Sequence, residues 1–399
     1  MDKSKPRQCV HSGGDTGLGY IDKVKQLPLT PGVYLMKDSL GHVIYVGKAK
    51  QLKRRVLSYF QHSRSHPPKV KLMVRHIRDV EVIHTDTEFE AFLLECQLIK
   101  QLKPMYNKKM KNPQAYTYIT LRTDNGRRHL ELVYQPEPQR DELVLGPYTS
   151  RSTVERALHG MQEALGILCS QPHTARNTLC LNHSLGLCNG MCAGGQALED
   201  YHRLLDRMAA LLQGHDTGIL AAMEERMVVA AERSDYEMAA RFRDELQAVQ
   251  ALLHKEKVID FAAHHVRLAV LEPIDSGTLK LILLSGGQVV RERKLILGGA
   301  DLGQSRLLME IYEEIRACFG EEAASAAATG GTTMSTHPPA ASAVRPIGRD
   351  EIDEAQIIYS HLQKATCSYL SITDEWLIHW EAAAEALAGL LEACPTIDE

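Results

Sequence analysis

No apolar run in the 399 residues approaches the roughly 20 needed to cross a bilayer, so a membrane protein is not expected. The opening stretch, Met1 to Gly17, is polar and has no apolar core of a secretory signal, which makes the cytoplasm the expected location. Acid is missing from two long blocks. From Ser39 to Arg78 there is no Asp or Glu but ten Lys or Arg, and from Cys96 to Thr123 six more basic residues stand without an acid. The cysteines lack the paired Cys-x-x-Cys spacing that would mark a zinc or cluster site outright.

What is present is ordinary in bulk and uneven in detail. The 44% hydrophobic and 24% charged content is that of a globular chain, and the length suggests two to four domains. The net charge of −4 hides segregation, because an acidic stretch (Asp79, Glu81, Asp86, Glu88, Glu90, Glu95) separates the two basic blocks. Two acid-free blocks so close together point to a phosphate-rich partner.

The fold class read from periodicity is α+β. Residues 1–26 are expected to be a flexible leader. Residues 27–110 form a compact unit: strands at 33–37 and 43–47 joined by an Asp-Ser-Leu-Gly turn, basic helices at 49–60 and 67–78, a third strand at 80–84 and an amphipathic helix at 87–102. Thr85-Asp86-Thr87 offers caps for that helix, and Glu88 and Glu90 suit its positive end. Residues 111–150 read as a β-hairpin extension, 151–215 as helices around a cysteine cluster, and 218–256 as a helical hairpin with Ser234 or Asp235 as cap. Residues 258–320 read as a β-hairpin and helix region, 321–348 as an Ala-, Ser-, Thr- and Pro-rich linker, and 349–399 as a helical acidic tail.

The first unit carries the chemistry. Tyr34 and Tyr45 lie on adjacent expected strands, where antiparallel pairing can set two phenols on one face. Lys48 follows at once, Arg55 and Tyr59 stand four apart on the next helix, Glu95 lies on the later helix and Asn107 follows it. Phosphodiester hydrolysis needs a water, a group to take its proton, a cation and help for the leaving oxygen. A phenol is a poor base at its usual pKa of about 10 unless a cation lowers it, and Lys48 is placed to do so. Arg55 offers a fork of donors to phosphate, and Glu95 a hard oxygen to magnesium or manganese.

This ordered set, Gly32-x-Tyr34, Tyr45-x-Gly47-Lys48-Ala49, Arg55, Tyr59, Glu95 and Asn107, resembles the GIY-YIG nuclease family. Leu27-Pro28-x-x-Pro31-Gly32-Val33-Tyr34, Ile44-Tyr45-Val46-Gly47-Lys48-Ala49-Lys50, Glu90-Ala91-Phe92-Leu93-Leu94-Glu95 and Lys103-Pro104-x-Tyr106-Asn107 are similar to the N-terminal nuclease of the UvrC proteins of nucleotide excision repair. The resemblance implies that Tyr45 takes the proton, with Lys48 its activator. It implies that Tyr34 and Tyr59 support the water and phosphate, Arg55 clamps phosphate, Glu95 is the sole protein ligand of the metal and Asn107 positions.

Cys169, Cys180, Cys188 and Cys192 are separated by ten, seven and three residues and resemble the cysteine segment of UvrC proteins, some of which hold a 4Fe–4S cluster. Iron–sulfur, zinc (with His183 as a substitute ligand) and plain buried thiols all remain open. Residues 218–256 resemble the UVR motif, which implies docking on UvrB, with Tyr236, Phe242 and Leu246 as partner-binding residues. Beyond residue 258 no carboxylate-and-histidine set of a ribonuclease H-like nuclease and no Gly-x-Gly helix–hairpin–helix pairs are seen, so the expectation is a shortened UvrC-like chain cutting 3′ to a lesion. Two alternatives stand beside it: a non-cleaving subunit that binds UvrB and DNA, and a nuclease for branched or flapped DNA.

Overall fold

The computed structural model describes residues 19–61, 67–108, 116–137, 139–169, 178–264, 266–297, 303–328 and 351–395. The chain forms two compact units. Among the described residues, one joins 19–61, 67–108, 266–297, 303–328 and 353–395; the other holds 116–137, 139–169 and 178–264 with 351–352.

The N-terminal part of the first unit is built on a small antiparallel sheet. Strands β1 (Gly32–Lys37), β2 (Val43–Ala49) and β3 (Asp79–His84) lie in the order β2-β1-β3. Asp38 makes the hairpin turn by accepting from the amides of Leu40 and His42 at 2.9 and 3.0 Å, and Gly41 takes the left-handed backbone there. Side chains alternate across the sheet. Val33, Leu35 and Val46 pack on Ala91 and Ile99 of helix α4 (Glu88–Leu102). Tyr34 and Met36 face the other way, onto helices α2 (Leu52–Phe60) and α3 (Pro68–His76). Thr87 caps α4 by accepting from the Glu90 amide at 3.2 Å, and Lys103 ends it in the left-handed region. Part of the expected leader is ordered: Gly19–Lys25 is helix α1, with Val24 fully buried and Lys23 paired to Asp79 at 3.1 Å. Residues 1–18 lie outside the described residues.

Among the described residues, the second unit holds three strands where two were expected. Strands β4 (Thr117–Asp124), β5 (Arg127–Val133) and β6 (Asp141–Tyr148) lie antiparallel in the order β5-β4-β6. The polar start of β6 disguised it, but Asp141 pairs with the buried Arg122 of β4, which also bonds Glu131 at 2.6 Å. Ile119, Leu121, Leu145 and Tyr148 of this sheet share a core with helices α5 (Arg151–Ala164), α7 (Gln196–Leu212), α8 (Gly218–Glu232) and α9 (Tyr236–Ala263). A short helix α6 (Leu181–Ser184) precedes α7. Asp235, not Ser234, caps α9 by accepting from Met238 N at 3.1 Å.

The C-terminal part completes the first unit. Strands β7 (Arg267–Asp275), β8 (Thr278–Ser285) and β9 (Gln288–Ile296) form a meander, with helices α10 (Gly303–Ala328), α11 (Ile352–Leu362) and α12 (Trp380–Glu392). The expected tail contributes β10 (Ser368–Ser371), which pairs antiparallel with β7 and makes the order β10-β7-β8-β9. Of the expected tail, residues 351–395 are therefore no appendage, and α10 runs into the expected linker as far as Ala328; residues 329–350 and 396–399 lie outside the described residues. Leu271, Leu281 and Leu295 of the sheet pack on Ile311 and Ile315 of α10 and Leu387 and Leu390 of α12. This layer also meets α4. Lys280 is buried and donates to Asp86 at 2.9 Å and Glu90 at 2.6 Å, so its charge is compensated, and the His361 ring stacks on Phe89 at 4.0 Å.

Candidate active site

Strand register assembles the phenols. Tyr34 pairs with Gly47 across β1 and β2, and Tyr45, two residues before Gly47, therefore shares its face. A β-carbon at position 47 would overlap the Tyr34 hydroxyl and ring, so only glycine lets Tyr34 lie across the strand. Tyr59 reaches the same place from α2. The ring centroids lie 6.2 Å apart for Tyr34 and Tyr45, 5.9 Å for Tyr34 and Tyr59 and 6.2 Å for Tyr45 and Tyr59. The hydroxyls of Tyr34 and Tyr59 are hydrogen-bonded at 2.9 Å.

Arg55, one turn before Tyr59, donates to its hydroxyl at 3.3 Å and lies 5.2 Å from its ring. Burial, then the charge of Tyr59, pushes the phenols of Tyr34 and Tyr45 above their ordinary pKa; Glu95 adds to this at Tyr45, and Arg55 opposes it at both. Glu95 sits half-buried on α4, and its Oε1 accepts from the Lys48 amide at 3.3 Å. Burial raises its carboxyl pKa, against the pull of the Lys48 amide and the charges of Lys48 and Arg55.

Lys48 is turned elsewhere. It follows Gly47 and so points to the other face of β2, where its ammonium donates to Glu88 at 2.6 Å and lies 4.5 Å from the Phe92 ring. The cation that draws the phenols back down is Arg55, not Lys48. Glu88 is thus a site neighbour that sequence reasoning took only for a helix-end acid. Asn107 pairs both ways with the backbone of Val46, donating to its carbonyl at 2.9 Å and accepting from its amide at 3.0 Å. Because β2 is an edge strand, this amide stands in for a missing neighbour and fixes the strand between Tyr45 and Gly47.

The other expected residues lie in the second unit. Cys188 and Cys192 are buried and Cys169 and Cys180 half-buried, in a region where His183 meets the Cys188 carbonyl at 2.9 Å and Arg127 donates to the Cys192 carbonyl at 3.3 Å. Among the described residues, the acid, histidine or cysteine groups whose ligand atoms gather within 4.8 Å are His159, Glu163 and Glu245, not these four thiols. On the helical hairpin Tyr236 is 72% exposed, while Leu246 is 8% exposed and lies in the core beneath α5. Leu246 is therefore not open to a partner, because α9 turns that face onto its own unit. Phe242 is half-buried, 4.4 Å from Arg226 and 5.0 Å from Arg241, which both donate to Glu163 at 2.7 Å. No described helix is long and apolar enough to cross a membrane.

Residues 30–108 match the family described as the UvrC-like GIY-YIG domain, and residues 116–211 match the UvrC/Cho excinuclease middle domain. The UvrABC system protein C of Moorella thermoacetica is 34% identical over 297 residues, covering 73% of this chain and 48% of that protein. The Bdellovibrio bacteriovorus protein of the same name is 38% identical over 241 residues, covering 60% of this chain and 38% of that one. The chain spans about half the length of the curated relatives it matches, or less. The crystallised GIY-YIG N-terminal endonuclease domain of Thermotoga maritima UvrC is 38% identical and covers 23% of this chain and 97% of that one, with a TM-score of 0.21; it is bound to magnesium, its catalytic divalent cation.

Proposed function

We propose, from the match of residues 30–108 to the UvrC-like GIY-YIG domain and of residues 116–211 to the UvrC/Cho excinuclease middle domain, that this chain is a divalent-metal-dependent endonuclease that hydrolyses a DNA phosphodiester. The observation that carries this reading is the set of Tyr45, Tyr59, Arg55 and Glu95, gathered from a strand and two helices around one group of phenols. A subunit that merely bound DNA would not need three phenols in contact or a half-buried carboxylate near a guanidinium.

The donors suit magnesium or manganese. Glu95 and the phenols offer hard oxygens, and a cation beside Glu95 would relieve the burial that raises its carboxyl. When bound, the cation offsets charge developing on the phosphoryl oxygens and the leaving oxygen. Arg55, exposed on α2, holds the phosphate with its planar fork. Tyr45 aligns the attacking water and takes its proton, aided by the nearby positive charge of Arg55. Tyr34 and Tyr59 keep Tyr45 in place through their own bond and ring contacts, Lys48 and Glu88 brace β2 against α4, and Asn107 fixes the edge of β2.

We further propose that the cut falls 3′ to a lesion after loading by UvrB, with the hairpin α8–α9 as the docking element. The exposed Tyr236 at the start of α9 supports this end as the one presented to a partner. The test is incision of a duplex with one defined lesion, in magnesium or manganese, with and without UvrB. A single 3′-side cut that depends on UvrB is expected. Equal cutting of undamaged, flapped or branched DNA without UvrB would replace damage repair by a structure-specific activity.

A further inference from the structure

Helices α5 and α9 pack closely at a position that has no side chain. Gly160 lies inside α5, and a β-carbon there would come within 2.8 Å of the Glu245 β-carbon on α9. The close approach brings three other groups together. His159 and Glu163 stand four apart on α5, hence on one face, and Glu245 reaches them from α9. His159 Nδ1 lies 3.3 Å from Glu245 Oε1 and 3.7 Å from Glu163 Oε2, and the ligand atoms of all three residues lie within 4.8 Å of one another.

Both carboxylates are buried, so their mutual repulsion is poorly screened and favours a cation between them. Arg226 and Arg241 each donate to Glu163 at 2.7 Å, but both do so at Oε1, which leaves Oε2 to face His159. These guanidinia are themselves held by the Phe242 ring, at 4.4 and 5.0 Å. They are partly exposed, so solvent weakens their charge while they keep the Glu163 carboxylate in one orientation. The His159 side chain is 45% exposed and lines a cavity of about 660 Å³, together with Glu155 and Gln162 of the same helix.

We infer that His159, Glu163 and Glu245 hold a zinc ion that pins α9 to α5, with a water from the cavity as fourth ligand. An imidazole and two carboxylates are ordinary zinc ligands, and the imidazole favours zinc over magnesium. Two ligands about 2.1 Å from a tetrahedral ion stand roughly 3.4 Å apart, close to the 3.3 and 3.7 Å gaps from His159 to the two carboxylates. Arg226 and Arg241 serve as the outer groups that orient a ligating carboxylate. The cavity beside His159 supplies a path of entry and room for the water. Binding displaces any proton on His159 Nδ1 or Glu245, which passes to solvent. The inference is independent of the nuclease reading.

The test is zinc titration of the chelator-treated full chain in excess magnesium, with bound zinc counted by native mass spectrometry. Wild type, His159→Gln, Glu245→Gln and a Cys180→Ser/Cys188→Ser double variant are compared, the last to set aside zinc held by thiols. His159→Gln and Glu245→Gln should each bind one zinc fewer than wild type, or bind it at least tenfold more weakly, while the double variant keeps that ion. Equal counts and affinities in wild type, His159→Gln and Glu245→Gln would overturn the site and leave an ion network, with a protonated imidazole between two carboxylates. If Glu245→Gln does not fold, His159→Gln, at a half-exposed position, decides by the same count.

Discussion

Tyr34 lies across Gly47, its hydroxyl and ring filling the space that a β-carbon at position 47 would take. Gly47→Ala should therefore displace Tyr34 and the Tyr59 hydroxyl bonded to it. Overpacking of this kind costs about 1–3 kcal/mol. Adding Tyr34→Phe removes one of the overlapping atoms and should restore part of the loss. A double-mutant cycle by urea denaturation measures the coupling, and strict additivity would mean the two residues do not compete for space.

Tyr45 has its phenol pKa raised by burial and by Tyr59 and Glu95, with Arg55 opposing. A base that is mostly protonated near neutrality gains its active form as pH rises. Cleavage should thus climb with pH, with a log–log slope near one between about pH 6 and 9. Tyr45→Phe should lose roughly a hundredfold or more and flatten that profile. A variant with the wild-type slope would move the proton transfer to another group.

The hairpin α8–α9 divides into a buried face and an exposed end. Leu246→Ala should cost about 2–5 kcal/mol in stability, because it empties a site in the core beneath α5. Tyr236→Ala should leave the melting temperature almost unchanged and weaken UvrB binding, read by calorimetric titration. Intact UvrB affinity in Tyr236→Ala would remove this end of the hairpin from the proposed interface.

Glu256 is bonded by the Tyr148 hydroxyl, and burial raises its pKa to about 7. The folded state therefore favours the neutral acid. The stability this contributes is complete below the unfolded value near 4.5 and is lost as pH rises through about 7. Glu272 and Glu292, also raised to about 7, act in the same direction, while His361, held down to about 4, acts in the opposite one over pH 4 to 6.5. Glu256→Gln should reduce the slope of stability against pH between about 5 and 7 by up to about 1.4 kcal/mol per pH unit. An unchanged slope in denaturation curves across that range would contradict the assignment.

Much of the N-terminal part was legible because its signals are local. Val33 and Leu35 alternate with Tyr34 and Met36, Asp38 to Gly41 spell a turn, and Thr87 announces a helix. The shared face of Tyr34 and Tyr45 follows from pairing alone. Longer-range chemistry was not legible. Nothing near Lys48 shows that its ammonium will be taken by Glu88, 40 positions away, leaving Arg55 beside the phenols. Lys280 reads like any polar strand residue until Asp86 and Glu90 are brought to it across the fold. Strand β6 opens on Asp141 and Glu142, which look like loop until Arg122 is seen buried against Asp141. Strand β10 follows a low-complexity stretch and has only four residues, too few for a period to register.

Glu95 is the carboxylate set near Tyr45 and Arg55, and the proposed cation would sit on it. The deciding measurement is cleavage of DNA by Glu95→Ala in magnesium and in manganese, with DNA affinity measured on the same preparation. Cleavage should fall by roughly a hundredfold to a thousandfold or more while affinity stays within about a factor of two, because the lost stabilisation belongs to the transition state. Wild-type cleavage by Glu95→Ala in either metal would contradict the account.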